Sequence, residues 1–209
     1  MERDATPPEM LVVAAPLWIE ARAVRRAAPH LRVVRTGAGP ERARRAAARL
    51  RRDPARALAV AGLCGALDPR LAPGDVLVAS HLIEPDGTTR PLESDGLYEA
   101  LASLGLRAQV GALLGVERTV RGAERARLAR CGAVAADLES PWLAAGAGGR
   151  PLAVLRVVVD GPGHELLRPS SVPRALRALW VLGEAVPALR RWAALQRPQP
   201  VRTHHAALG

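Results

Sequence analysis

Short, unbroken apolar runs recur along this chain, separated by stretches with helical spacing, and that alternation constrains its fold more than any other feature. Leu11-Val12-Val13-Ala14-Ala15, Leu31-Arg32-Val33-Val34-Arg35, residues 57–61, Val76-Leu77-Val78-Ala79, residues 109–116, Ala133-Val134-Ala135-Ala136 and Leu152-Ala153-Val154-Leu155 read as strands. Apolar runs without polar alternation belong to strands buried on both faces, as in parallel sheets covered by helices. Helical spacing fits residues 20–28 (ended by Pro29), 41–52, 97–104, 123–130, 139–147 and 172–195. Pro40 suits the first turn of the second helix. The order predicts an α/β fold: a single-domain three-layer sandwich with a mostly parallel central mixed sheet and helices on both faces. With no internal repeat or linker, the domain spans 10–195. Residues 1–9 are expected to be a flexible leader and 196–209 a disordered tail.

Composition bears on partners. Thirty basic against 20 acidic residues give a net charge of +10, which raises nucleic acid or an anionic membrane as partners. The chain has no Lys, Phe or Asn and only two Ile, a pattern of GC-rich coding in which Arg fills positions that Lys would serve. Arg42, Arg44, Arg45, Arg49, Arg51 and Arg52 lie at helical spacing, as on a solvated face. Stacking aromatics are scarce, so no specific nucleic acid is expected, and membrane contact is peripheral at most. Cys64 and Cys131 lack CxxC spacing and read as buried thiols of a reducing compartment. No signal peptide is evident and no apolar run approaches a bilayer-spanning length, so the expected localisation is cytoplasmic.

Chemistry concentrates at two strand ends. One apolar run leads into Asp137-Leu138-Glu139, the other into Arg156-Val157-Val158-Val159-Asp160. Ligands of open α/β sheets bind at strand carboxyl ends, where one carboxylate can grip sugar hydroxyls and another, in a drier place, can manage a proton. Each residue also has a plainer reading. Asp160 would cap the turn Gly161-Pro162-Gly163, Glu139 would favour the following helix dipole, and Glu20 would be an ordinary helix-face residue. Asp137 reads as a cap or Arg partner, and Arg156 as a buried partner of a carboxylate. Gly37-Ala38-Gly39 looks like a phosphate loop, although strand-to-helix turns need Gly for positive φ. His81 and His164 read as exposed loop residues, and His204-His205 as tail without a metal. Trp180 and Trp192 read as core or interface. Trp18 and Trp142, beside Glu20 and Glu139, are the candidates for lining an apolar pocket.

Four patterns in register carry a family resemblance over residues 11–195. They are the opening strand followed by Glu20, the segment Gly62-Leu63-Cys64-Gly65, the segment Leu71-Ala72-Pro73-Gly74-Asp75-Val76-Leu77-Val78-Ala79, and the Asp-Leu-Glu plus Arg-X-X-X-Asp pair. The chain resembles the nucleoside phosphorylase/nucleosidase superfamily, most of all hopanoid-associated phosphorylases and 5′-methylthioadenosine/S-adenosylhomocysteine nucleosidases. The resemblance implies cleavage of a purine N-glycosidic bond, adenosine type and adenosylhopane included, by phosphate or water. It implies Glu139 on the ribose hydroxyls, Leu138 against the sugar, and Asp160 protonating the purine at N7. Glu20 would hold the attacking water, and Gly62 to Gly65 would bring backbone close, with Gly62 and Leu63 at the substrate. It further implies no cofactor or metal, inorganic phosphate as a conceivable co-substrate, and a homo-oligomer acting on a small nucleoside that a lipid could extend. Departures are Val159 where relatives commonly carry Ser, Leu63 where many carry Ser or Thr, and Val60 where hexameric phosphorylases place a phosphate-gripping Arg; Arg22, Arg35 or another arginine would have to substitute. The alternative is a non-catalytic nucleoside-binding or basic scaffold protein on the same fold.

Overall fold

The computed structural model describes residues 10–163 and 171–196. The expected leader, His164, His204-His205 and the tail beyond Gln196 lie outside them. The strands are β1 (Leu11–Ala15), β2 (Arg32–Arg35), β3 (Ala57–Ala66), β4 (Val76–Ile83), β5 (Thr89–Pro91), β6 (Ala108–Gly115), β7 (Ala133–Asp137) and β8 (Leu152–Asp160). The helices are α1 (Trp18–Ala27), α2 (Pro40–Leu50), α3 (Asp95–Ala102), α4 (Ala123–Ala129), α5 (Ser140–Ala144) and α6 (Ser171–Leu195). A 3₁₀ turn over Ala145–Ala147 completes the helix expected at 139–147.

β1 lies between β2 and β3, parallel to both. β3 is long enough to pair with β8 in parallel along its length and with β7 antiparallel at its far end. β8 returns antiparallel to β4, which runs parallel to β6, itself parallel to β7. The mixed sheet therefore curls until β3, β8, β4, β6 and β7 meet in a ring.

Strand residues alternate between two packed layers. Val13, Ala59, Ala61, Leu155 and Val157 face α1, α3 and α6, whereas Val12, Leu58, Val60, Val154 and Val158 face α2 and α5. Both faces being buried is why the strands show no polar alternation in the sequence.

Two local expectations change. The strand expected at 57–61 continues through Gly62 to Gly65 and ends at Ala66. The strand expected to end at Ala79 runs four residues further as β4, and Thr89 to Pro91 fold back antiparallel on it as β5 before the helix expected at 97–104.

Candidate active site

The sheet register explains the two glycines of β3. Gly62 stands opposite Arg156, and Gly65 opposite Asp160 after a register shift between Cys64 and Gly65. Such an irregularity re-aims a side chain at a strand end. A Cβ at Gly62 would lie 2.7 Å from Glu20 Oε1 and would also strike the Arg156 guanidinium. At Gly65 it would lie 2.8 Å from Asp160 Oδ1 and 2.9 Å from Arg125 Nη1. The glycines leave room for charged side chains to cross the sheet surface.

Glu20, in the first turn of α1, is 2% exposed. Its Oε2 accepts the Leu17 N–H at 2.6 Å, reaching back over the helix start, and its Oε1 accepts the Leu63 N–H at 2.8 Å. Glu139 sits between β7 and α5 and accepts the Gly39 N–H at 2.8 Å. Gly39 has φ +91°, a conformation that favours glycine. The Gly37-Ala38-Gly39 loop thus offers an N–H to a carboxylate, where its sequence suggested phosphate.

Asp137 behaves as the Arg partner and cap expected of it. It pairs with Arg156 and accepts both the Ser140 N–H, at 3.1 Å, and the Ser140 hydroxyl, at 2.6 Å. Arg156, fully buried, also donates through Nη2 to Ser140 Oγ at 2.8 Å. One guanidinium therefore stands among Asp137, Glu139 and Glu20. Burial raises the Glu20 carboxyl above the usual carboxylate range, with Arg156 opposing. Burial likewise pushes Glu139 up to about 7, again against Arg156.

Asp160 ends β8 and is 5% exposed. Arg125 of α4 donates from Nη2 to Asp160 Oδ2 at 2.6 Å and from Nη1 to Ala66 O at 2.8 Å.

Glu20, Asp137, Glu139, Asp160 and Arg125 line one cavity of about 300 Å³. Leu63 and Leu138 contribute to its largely apolar wall, together with Val159 and Ala38. Gly62 lies behind that wall and acts through the room it gives Arg156 and Glu20.

Other expectations are corrected. Trp18 is 61% exposed and, with Arg22 and Arg35, borders a separate surface groove. Trp142 is buried in the layer beneath α2, with the Arg44 guanidinium 5.2 Å from its ring centre. Neither tryptophan lines the cavity, because Trp18 opens α1 on its solvent side while Trp142 packs into the α2–α5 layer. His81 lies within β4, bonded to Ser80, and Trp180 is exposed. Cys64 is buried at the cavity and burial drives its thiol pKa far up, leaving it inert as a nucleophile; Cys131, expected buried, is exposed. Among the described residues no His, Cys, Asp and Glu cluster of three or more is placed to hold a metal, and no helix is long and apolar enough to cross a membrane.

Sequence reasoning missed Arg125. Its only signal was position: Arg125 shares helical spacing with Leu128 and Ala129, which pack on the core, so a cation stands on the apolar face of α4.

The fold has many solved counterparts. A mutant of Helicobacter pylori 5′-methylthioadenosine nucleosidase with 5′-methylthioadenosine in its active site superposes with a TM-score of 0.75 at 13% identity, over 90% of this chain and 99% of that one. Futalosine hydrolase from the same organism gives 0.73 at 14%, over 88% and 97%. S-adenosylhomocysteine nucleosidase of Streptococcus pyogenes gives 0.72 at 18%, over 88% and 99%. No curated protein matches by sequence. The model of the phosphorylase superfamily matches residues 27–172, from the end of α1 through β8 into the first residues of α6. By that match, the chain belongs to the phosphorylase superfamily.

Proposed function

We propose that this chain is an enzyme that hydrolyses the N-glycosidic bond of a purine nucleoside of the adenosine type and releases the base. The observation that carries the reading is the meeting of Glu20, Glu139 and Asp160, from three separated segments, on one nucleoside-sized cavity. N-glycosidic cleavage passes through an oxocarbenium-like sugar, as glycoside hydrolysis does. It needs a hold on the ring hydroxyls, a group at the leaving base and a nucleophile on the opposite face. Glu139 serves the first need, with Leu138 against the sugar. Asp160 serves the second. Glu20 serves the third, fixed by two backbone N–H groups at the Leu63 wall. Asp137, Glu139 and Glu20 share one guanidinium, so the site favours a developing positive charge on the sugar.

Water is the nucleophile on this reading. A phosphate ion would enter among carboxylates, and Arg22 and Arg35 border another groove. Arg125, the arginine lining the cavity, is engaged by Asp160.

The cavity is near the lower limit of ligand sites. A nucleoside fills it, and a long 5′ chain, adenosylhopane included, extends from its mouth. A homo-oligomer is part of the reading, with Leu176 and Trp180 on α6 exposed for a second copy to cover; light scattering that finds only a 22.1 kDa species at micromolar concentration would remove that part.

The direct test is release of free adenine from 5′-methylthioadenosine by the purified chain, followed chromatographically. A series of 5′-alkylthioadenosines then reads the 5′ group: kcat/KM rising with chain length supports a lipid-extended substrate, and a flat series supports a small one. No purine release from any member overturns the proposal.

A further inference from the structure

The outer face of α1 takes no part in the chemistry described above. Trp18, Arg22, Arg25 and Arg26 lie three to four residues apart on it, turned away from the buried Glu20, Ala21 and Val24. With Arg35 at the end of β2 they border the surface groove, and no acidic residue lines it. Among the described residues none of these four arginines is paired with a carboxylate. Arg25 donates to Val33 O at 2.9 Å, which ties α1 to β2 and leaves the charge uncompensated. All four are exposed. The arginines of α2 differ: Arg42 donates to Ala38 O, Arg45 pairs with Glu41 and Arg44 lies over Trp142, with no large apolar side chain of that helix exposed. Groove and cavity also share a rim at two points. Leu17, which lines the cavity and is 36% exposed, directly precedes Trp18; Ala38, also at the cavity, lies three residues beyond Arg35.

We propose that this face docks on an anionic lipid bilayer, with Arg22, Arg25, Arg26 and Arg35 on headgroup phosphates and Trp18 and Leu17 seated in the interface beside them. An indole, apolar with one polar N–H, favours the boundary between water and acyl chains. Each arginine close to an anionic membrane tightens binding about 5-fold. Charge and a shallow apolar anchor together give reversible, peripheral contact. Other occupants fit less well. A second copy packed two-fold on the same face would set arginine against arginine. Single-stranded nucleic acid needs a series of stacking aromatics and the groove has one, while a duplex would use the arginines and leave Trp18 and Leu17 in water. Docking does not depend on the proposed cleavage. It adds to that reading a route by which a lipid-bearing nucleoside reaches Leu17 with its chain still in the membrane.

The test is sedimentation of the full chain, without substrate, with vesicles of phosphatidylcholine alone or mixed with phosphatidylglycerol. Binding is expected to the mixed vesicles only, and to fade as salt rises. Arg22→Gln combined with Arg26→Gln should weaken it by about 25-fold, two arginines at about 5-fold each. The charge-matched pair Arg45→Gln and Arg49→Gln on α2, equally exposed, should leave it unchanged. Lipids brominated in their acyl chains should quench the fluorescence of wild type more than that of Trp18→Ala. No binding to the mixed vesicles, equal losses from the two arginine pairs, or equal quenching of wild type and Trp18→Ala overturns the proposal. Inorganic phosphate that releases the chain better than chloride at equal ionic strength would mark a site for the free anion and overturn it. A DNA duplex bound more tightly than the vesicles would assign the face to nucleic acid, with the same consequence. If the chain binds vesicles as expected but releases no purine from any nucleoside, the docking surface stands and the proposed cleavage falls.

Discussion

Glu139 is the residue whose chemistry is most exposed to test. Its carboxyl is pushed up to about 7, chiefly by burial, so near neutrality it passes between a neutral acid and the anion that can accept two sugar hydroxyls. kcat/KM for a ribonucleoside should therefore rise with pH through about 7, with Glu20 sharing the limb because burial raises it as well. Stability should move the other way. A carboxyl raised above its unfolded value binds more protons in the native state, so stability falls as pH climbs from the ordinary range of Glu through about 7. Glu139→Gln keeps the acceptor for Gly39 and removes the buried charge. At pH 8 it should raise Tm by a few degrees, on the order of 1 kcal/mol, while cutting turnover. Calorimetry at pH 5 and pH 8 checks the sign: a gain confined to the acidic side would contradict it. At the other end of the cavity, Asp160→Asn replaces the carboxyl group that accepts from Arg125, and turnover of a folded variant should drop by roughly 100-fold. A variant turning over like wild type would take Asp160 out of the site.

Among the elements, β3 and β8 do most to assemble the site, and their register explains what the sequence could and could not show. Unbroken apolar runs announced every long strand, because burial on both faces leaves a one-dimensional signature. The carboxylates after those runs pointed to the candidate cavity for the same reason, since a charge beside a buried strand is conspicuous. The job of Gly62 and Gly65 was not legible, however, because a glycine needed for clearance and a glycine needed for φ read alike; it becomes visible only with Arg156 and Asp160 paired opposite them. The curl of the sheet was equally hidden, being a matter of β7 reaching the end of β3 from far along the chain. Arg125 was obscured by the many solvated arginines around it. Gly62→Ala tests the clearance argument. A methyl group there meets Glu20 Oε1 and the Arg156 guanidinium, and overpacking of this kind costs about 1–3 kcal/mol. Denaturant unfolding should show that loss together with lost activity, whereas Gly39→Ala, with nothing within 4 Å, should show only the strain of its positive φ. Equal stability of Gly62→Ala and wild type would mean the glycine is incidental.

At the scale of the whole molecule, the +10 charge and the function occupy different places. Arg22, Arg25, Arg26 and Arg35 border an outer groove beside exposed Trp18, whereas the cavity gathers carboxylates around one buried Arg156. A protein whose basic surface served phosphate capture would have brought those arginines inward. The separation supports the proposal that water is the nucleophile, and this is the central claim. The measurement that tests it most directly is the identity of the sugar product when the chain acts on 5′-methylthioadenosine in heavy-oxygen water with millimolar inorganic phosphate present. The account predicts free 5-methylthioribose carrying the heavy oxygen at C1, at a rate unaffected by phosphate. A sugar 1-phosphate as the product, with a rate that rises with phosphate, would contradict it.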